Sequence, residues 1–447
     1  MPMISNFRPA LMLGFLCCAL VPPRPALAAP KHSAGSSYPS YEGLVMCGYQ
    51  GWFRAEGDGA GHGWVHYCTH NQFAPDSLKV DLWPDVSEYE KTYRTPFHNP
   101  DGTPARVFSS WDQSTVDLHF RWMRDYGIDG VFMQRFFGVT RTERSRREGR
   151  IMLGYALKAS QRNGRALAVM YDLSGLHAKG EDCASVIQDW KELVDELKLT
   201  SQGTNQTYLY HRGKPLVAIW GVGFPDRSYN IRDIGLDKLI AFLKHDPDYG
   251  GCSVMLGVPT YFRDLKTDCL PDPYLHEIMA KADVIMPWMV QRFTPLLHNE
   301  MARFAAHVKA DLAWCAARHL DYAPCIYPGF SWYNLSRQEF GGRHPLDQTP
   351  RQQGRFYCEL FTTAIQSGAK MLYVAMFDEL DEGTAIFKCS TRPPQPGAPA
   401  KLLAYEGVPS DHYLWLTGQA GRMLRGQSPL SADLYLQTNH TAGASSP

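Results

Sequence analysis

The sequence predicts an α/β fold: a (β/α)8 or TIM barrel, single-domain with loop insertions. Three observations lead there. Eight short apolar runs of strand length punctuate the chain, and segments of helical periodicity fill most of the intervals between them. The last run, residues 371–377 (Met-Leu-Tyr-Val-Ala-Met-Phe), is apolar throughout, as a strand buried on both faces of a parallel sheet must be. The competing doubly wound sheet would carry a glycine-rich nucleotide fingerprint, which the chain lacks.

In chain order, residues 1–28 come first. Arg8 precedes an apolar run at 10–21 that is short for a membrane span, and Ala26-Leu-Ala28 supplies a small-x-small cleavage pattern. The expectation is a removed signal peptide and a secreted or periplasmic protein. No later stretch is long and apolar enough to cross a bilayer, so no stable membrane insertion is expected after cleavage.

The barrel is expected over residues 41–425. A first strand lies within 43–53 and ends in the cluster Tyr49, Gln50 and Trp52. Residues 56–63 carry glycine at every second position without the Gly-Lys-Ser/Thr order of a phosphate loop, and read as a pliable loop over the mouth. His62, His66 and His70 fall four apart with Cys68 between them. They would share a face only on a helix, which the glycines oppose, so no metal or other cofactor is expected.

A helix at 114–126, with a Ser start and Gly127 beyond its end, leads into a strand at 128–136. The basic run 141–150 reads as a solvated helix start, followed by a helix at 154–162 and a strand at 166–172. Val186, Trp190, Val194 and Leu197 line one side of a helix at 183–199. Strands follow at 215–220, 253–258, 282–288 and 323–332, with helices at 234–243, 303–319 and 355–366. Beyond the eighth strand come a Pro-rich loop at 393–399, a closing helix at 413–424 and a C-terminal tail, 426–447.

Composition limits the partners. Lys plus Arg and Asp plus Glu each number 45, so charge gives no case for nucleic acid. Nine cysteines follow the signal; Cys252 with Cys269, or Cys315 with Cys325, could close short loops, and no C-x-x-C is present. Asn205, Asn334 and Asn439 begin Asn-x-Ser/Thr sequons, acceptors for glycans if the source is eukaryotic. Aromatic residues make up 12% of the chain, the signature of a packed sheet and equally of stacking faces for sugar rings.

A barrel presents its strand ends at one mouth. There the sequence places Tyr49, Gln50 and Trp52; Gln134 and Arg135; Tyr171 and Asp172; Trp220; Tyr261; Trp288, Gln291 and Arg292; and Tyr327, Ser331 and Trp332. About half should face inward, because side chains alternate along a strand. At the eighth end Asp378, Glu379, Asp381 and Glu382 crowd together before Gly383-Thr384. Two such carboxyls can divide acetal cleavage, one protonated to release the leaving oxygen and the other acting as base or nucleophile. Like charges raise the pKa of one member, which keeps an acid available near neutral pH.

Phe377-Asp-Glu-Leu-Asp-Glu-Gly-Thr384 resembles the Asn-Glu-Trp-His-Glu-Gly-Thr signature of the family 99 endo-α-mannosidases and the related family 71 barrels. The segment from Ile326 to Trp332 (Ile-Tyr-Pro-Gly-Phe-Ser-Trp) and the opening Gly-Tyr-Gln-Gly-Trp-Phe of residues 48–53 are similar to segments of that group. The resemblance implies a retaining α-glycosidase acting on an oligo- or polysaccharide. Glu379 would be the base on the substrate 2-hydroxyl, and Glu382 the general acid and base. Tyr49, Gln50, Trp52, Arg135, Tyr171, Asp172, Trp220, Trp288, Arg292, Tyr327 and Trp332 would bind substrate. Asp378, Leu380 and Asp381 stand where the family has Asn, Trp and His; the two aspartates are candidate contacts to the hydroxyls of another sugar. Two rivals stay open at this point: a barrel that binds glycans without cleaving them, and a metal-dependent hydrolase built from the acidic cluster and the histidines.

Overall fold

The computed structural model describes residues 1, 31–32, 35–177, 179–200, 206–339, 341–342 and 344–438. The expected signal beyond Met1, the sequons at Asn205 and Asn439, and tail residues 439–447 lie outside the described residues. No helix among the described residues is long and apolar enough to cross a membrane.

The chain forms a (β/α)8 barrel. Its strands, numbered here around the barrel, are β1 Val45–Tyr49, β2 Gly130–Phe136, β3 Ala166–Asp172, β4 Lys214–Trp220, β5 Ser253–Pro259 and β6 Val284–Trp288, each parallel to the next. The ring closes through β8, Leu372–Val374, which pairs with β1. Between them β7 is broken. Its first piece, Asp321–Tyr322, pairs with β6, and its second, Cys325–Ile326, pairs with β8. The break falls at Ala323-Pro324, where proline has no N–H for a ladder. Ala323 still donates to Ile285, while the Pro324 carbonyl accepts from Tyr373, so the strand changes partner there. The sequence suggested one unbroken strand over 323–332; the chain leaves the sheet at Ile326 instead.

Several helices match their signals. Gln113–Tyr126 ends where Gly127 takes a left-handed φ of 78°, and Arg355–Gln366 spans the expected residues. The helix expected at 154–162 is longer, Glu143–Asn163, because the basic run forms its first turns. There Arg146 and Arg150 are paired to Glu143 and Glu192, which hides the apolar period without preventing the helix. An antiparallel hairpin, Tyr93–His98 with Pro104–Val107, gave no expected strand; it sits in the long loop after β1. Within the tail, Ala432–Leu436 forms a 3-10 turn, and Leu434 and Tyr435 pack on the core.

Two covalent expectations are corrected. All nine described cysteines are free and buried. Cys252 immediately precedes β5 while Cys269 lies beyond its other end, so seven residues at roughly 3.3 Å each separate them, too far for a bridge. Cys315 and Cys325 remain apart on a helix and on β7. Asn334 is buried, and its amide donates to the Val80 and Lys401 carbonyls, which removes it as a glycan acceptor.

The barrel floor is packed under the mouth. A Cβ at Gly48 would lie 2.2 Å from the Met376 methyl and 2.3 Å from the Tyr373 hydroxyl, so only glycine lets β1 pass there. Gln134 meets the same Tyr373 hydroxyl at 3.4 Å.

Candidate active site

At the C-terminal end of the barrel a cavity of about 520 Å³ opens, lined by Glu379, Asp381 and Glu382 and by four tryptophans, Trp52, Trp220, Trp288 and Trp332. Glu379 is 5% exposed and Asp381 2%, while Glu382 is partly buried. Carboxylates so crowded need backbone support. The Glu379 carbonyl accepts from Ala385, the Leu380 carbonyl from Asp81, and the Glu382 carbonyl from Ser331. Gly383 turns the loop at a φ of 63°. Behind it the buried Arg351 donates to the carbonyls of Gly383 and Ala385 at 2.8 and 2.7 Å, with its guanidinium 4.5 Å from the Tyr413 ring. Asp81 anchors the facing loop by accepting from the Ser331 hydroxyl and from the backbone of Tyr333 and Asn334.

Burial, and then the charge of Glu382 and Asp381, holds Glu379 well above the ordinary carboxyl range. Burial also raises Glu382, with Asp381 and Asp172 adding to the rise and Arg227 opposing it. Asp172, at the end of β3, is pushed up to about 6 by burial although it accepts the Ser174 N–H at 2.8 Å. Six buried polar atoms of the lining have no hydrogen-bond partner among the described residues: Gln50 Oε1, Gln134 Oε1, Trp52 Nε1, Trp220 Nε1, Arg227 Nε and Asp381 Oδ1. Both donors and acceptors are represented. Such atoms are costly unless a ligand or water completes them, and sugar hydroxyls, which donate and accept, can do so.

Gln50, Trp52, Asp172, Trp220, Trp288, Arg292, Trp332 and Asp381 therefore join the glutamates at the cavity, as do Gln134 and Gln291. Five expected contacts do not. Arg135 and Tyr171 point to the opposite face of the sheet, where both bond the buried Asp189. Their neighbours Gln134 and Asp172 take the inward face, as alternation requires. Tyr49 lies behind the wall against His119 at 3.0 Å. The Tyr327 hydroxyl donates to the Phe293 carbonyl. Asp378 is fully buried and gives both oxygens to the backbone of Gln50 and Gly51. Tyr261 and Ser331 are also off the lining, held by Arg303 and Asp81.

Among the lining residues that had no place among the expected contacts, three stand beside the predicted ones. Phe136, two positions beyond Gln134, shares its inward face, and alternation could have found it. Arg227 arrives on the loop after β4, its guanidinium 5.1 Å from the Trp220 ring. His66 comes from the segment after the glycine loop, stacked on Trp52 and bonded to Asp381. The three histidines do not converge: His62 pairs with Glu148, His70 is exposed, and no group of three metal-ligating side chains gathers among the described residues.

No protein-family model and no curated protein matches the chain. Solved structures do. The chain is similar in fold to the GH99 endo-α-mannosidase from Bacteroides thetaiotaomicron in complex with bis-tris-propane, with a TM-score of 0.60 and 17% identity over 86% of this chain and 98% of the other. A second structure of that organism's GH99 endo-α-mannosidase gives a TM-score of 0.58 at 16% identity, with the same coverage. At these identities the likeness establishes the barrel.

Proposed function

We propose that this protein is a glycoside hydrolase, exported by its N-terminal signal, that cleaves α-glycosidic bonds of an oligo- or polysaccharide with retention of configuration. One observation carries the reading: Glu379 and Glu382, three residues apart, enter one tryptophan-walled cavity with both carboxyls raised by burial. The fold shared with the two endo-α-mannosidase structures supports it, as does the set of buried polar atoms awaiting partners.

The resemblance of residues 377–384 to the family 99 signature implies a reaction in which the substrate supplies its own nucleophile. Glu379, which takes a hydrogen bond from the Gln50 side chain, removes the proton of the 2-hydroxyl. The oxygen freed in this way attacks the anomeric carbon as Glu382 protonates the departing oxygen, leaving a 1,2-anhydro sugar. Glu382, now a carboxylate, takes a proton from water; the water opens the three-membered ring at the anomeric carbon, and Glu379 returns its proton to O2. Two inversions give net retention. The tryptophans supply apolar faces and edges that hold the ring against the carboxyls.

The test is reducing-sugar release from a panel of α-linked polysaccharides, wild type beside Glu382→Gln, with the first-formed anomer read by proton NMR. Release of an α-anomer by the wild type and its loss in the variant are expected. Glycan binding with turnover at background in both proteins would instead identify a non-catalytic glycan-binding barrel.

A further inference from the structure

The chemistry assigned to the two glutamates leaves two neighbours unused, and they are built into one unit. His66 belongs to no strand end; it enters from the loop that holds Gly57, Gly59, Gly61 and Gly63, all at positive φ, and itself adopts a φ of 64°. Its ring lies on the Trp52 indole with centroids 3.6 Å apart and planes 10° apart. Its Nδ1 lies 3.0 Å from Asp381 Oδ2. Asp381 thus has one oxygen engaged by the imidazole and one, Oδ1, buried without a partner among the described residues. Trp52 Nε1, beside it on the same stack, is in the same condition.

A buried carboxylate oxygen calls for a donor, and a buried indole N–H for an acceptor. Two of the protein's own cations at the cavity are committed: Arg292 to Asp268 at 2.6 Å, and Lys79 to Glu339. The third, Arg227, lies over aromatic rings with its Nε lacking a hydrogen-bond partner among the described residues, and it makes no bond to Asp381. The missing donor therefore comes from the ligand. With six carboxylates in the lining (Asp172, Asp226, Glu339, Glu379, Asp381 and Glu382), an anionic sugar would be repelled, and a neutral sugar hydroxyl fits. Burial lowers the His66 pKa, and because Nδ1 faces a carboxylate oxygen it is the nitrogen that carries the hydrogen; Nδ1–H donates to Asp381 and fixes the direction of the carboxylate.

Resting on the hydrolase reading, we infer that His66 and Asp381 form a specificity pair: Asp381 accepts a hydroxyl of a neutral sugar bound beside the two glutamates, and His66 is the positioning residue that aims it. Substrate preference is thereby partly set by the glycine-rich loop, from outside the strand ends.

The experiment measures KM and kcat of wild type, Asp381→Asn, His66→Ala and His66→Gln on a glycan the wild type cleaves, and repeats each with monodeoxy forms of that glycan. Loss of a hydrogen bond to a charged acceptor corresponds to about a tenfold to hundredfold effect. Asp381→Asn and His66→Ala should show it mainly in KM, with partial rescue by Gln, whose amide can still donate. One deoxy position should weaken binding to the wild type but cost Asp381→Asn nothing further. Thermal midpoints and calorimetric binding of the product saccharide are taken on the same samples, so a misfolded variant is recognised and His66→Gln carries the comparison. An active wild type whose KM and deoxy-sugar profile survive both substitutions overturns the pair alone. A wild type that neither binds nor cleaves any glycan overturns the pair and the hydrolase reading together.

Discussion

Asp378 accepts the backbone N–H of Gln50 at 2.8 Å through one carboxylate oxygen, and the other oxygen accepts from Gly51 at the same distance. The last strand end is thereby tied to the first, one residue before Glu379. Burial pushes Asp378 up to about 7. A carboxyl raised in the folded state contributes stability below the unfolded value near 3.9, and that contribution is lost as pH rises through 7. Asp378→Asn removes this dependence and turns an amide N–H toward a backbone donor. It should lower stability by about 1–3 kcal/mol, with the gap to wild type largest near pH 4 and shrinking toward pH 7. Urea unfolding at several pH values checks this; a gap that widens with pH contradicts it.

The two glutamates should separate by leaving group. Removing a general acid or base costs roughly 10²–10⁴ in rate. For Glu382→Gln most of that loss should vanish on an α-glycosyl fluoride, which departs without protonation, whereas Glu379→Gln should stay inactive on both substrates. Equal losses on the two substrates in Glu382→Gln would remove its role as acid.

The sequence made the barrel legible because strands buried on both faces cannot hide. β3 is apolar up to Asp172 and falls on its expected residues. At the site, residue types near strand ends were legible but their direction was not. Arg135 and Tyr171 face Asp189 because single-residue alternation decides the face, and a run that is apolar throughout does not reveal its phase. His66 escaped for another reason: its place depends on a loop whose path is set by glycine backbone freedom and by stacking on Trp52, and neither leaves a periodic trace.

The pH profile follows from the coupled pair. The acid must be protonated and the base ionised, so kcat/KM should be bell-shaped, with apparent pKa values belonging to the pair. Its alkaline limb should lie above the ordinary glutamate value of about 4.3, because both carboxyls are raised. In Glu382→Gln on the fluoride, only Glu379 need ionise: the alkaline limb should disappear. The acid limb should move down, since the like charge of Glu382 is gone, yet remain above about 4.3 because burial persists. A wild-type profile whose alkaline limb falls at or below pH 4.3 would deny the raised acid.

Arg135 supplies the contrasting case. Its Nε and a terminal nitrogen bond the two oxygens of Asp189 at 2.9 and 2.5 Å, and the Tyr171 hydroxyl adds a third bond at 2.8 Å. Asp189 is fully buried, and Arg135 is 2% exposed. Removing the arginine strands a charge in the wall between barrel and helix, which costs about 3–5 kcal/mol in such pairs. Tyr171→Phe leaves the bidentate bond intact and should cost about 1 kcal/mol. Neither side chain reaches the cavity, so in protein that remains folded the KM for glycan should match wild type. Denaturant midpoints and KM, measured together on Arg135→Ala and Tyr171→Phe, separate the two outcomes: a raised KM at unchanged stability would return these residues to the ligand side of the sheet.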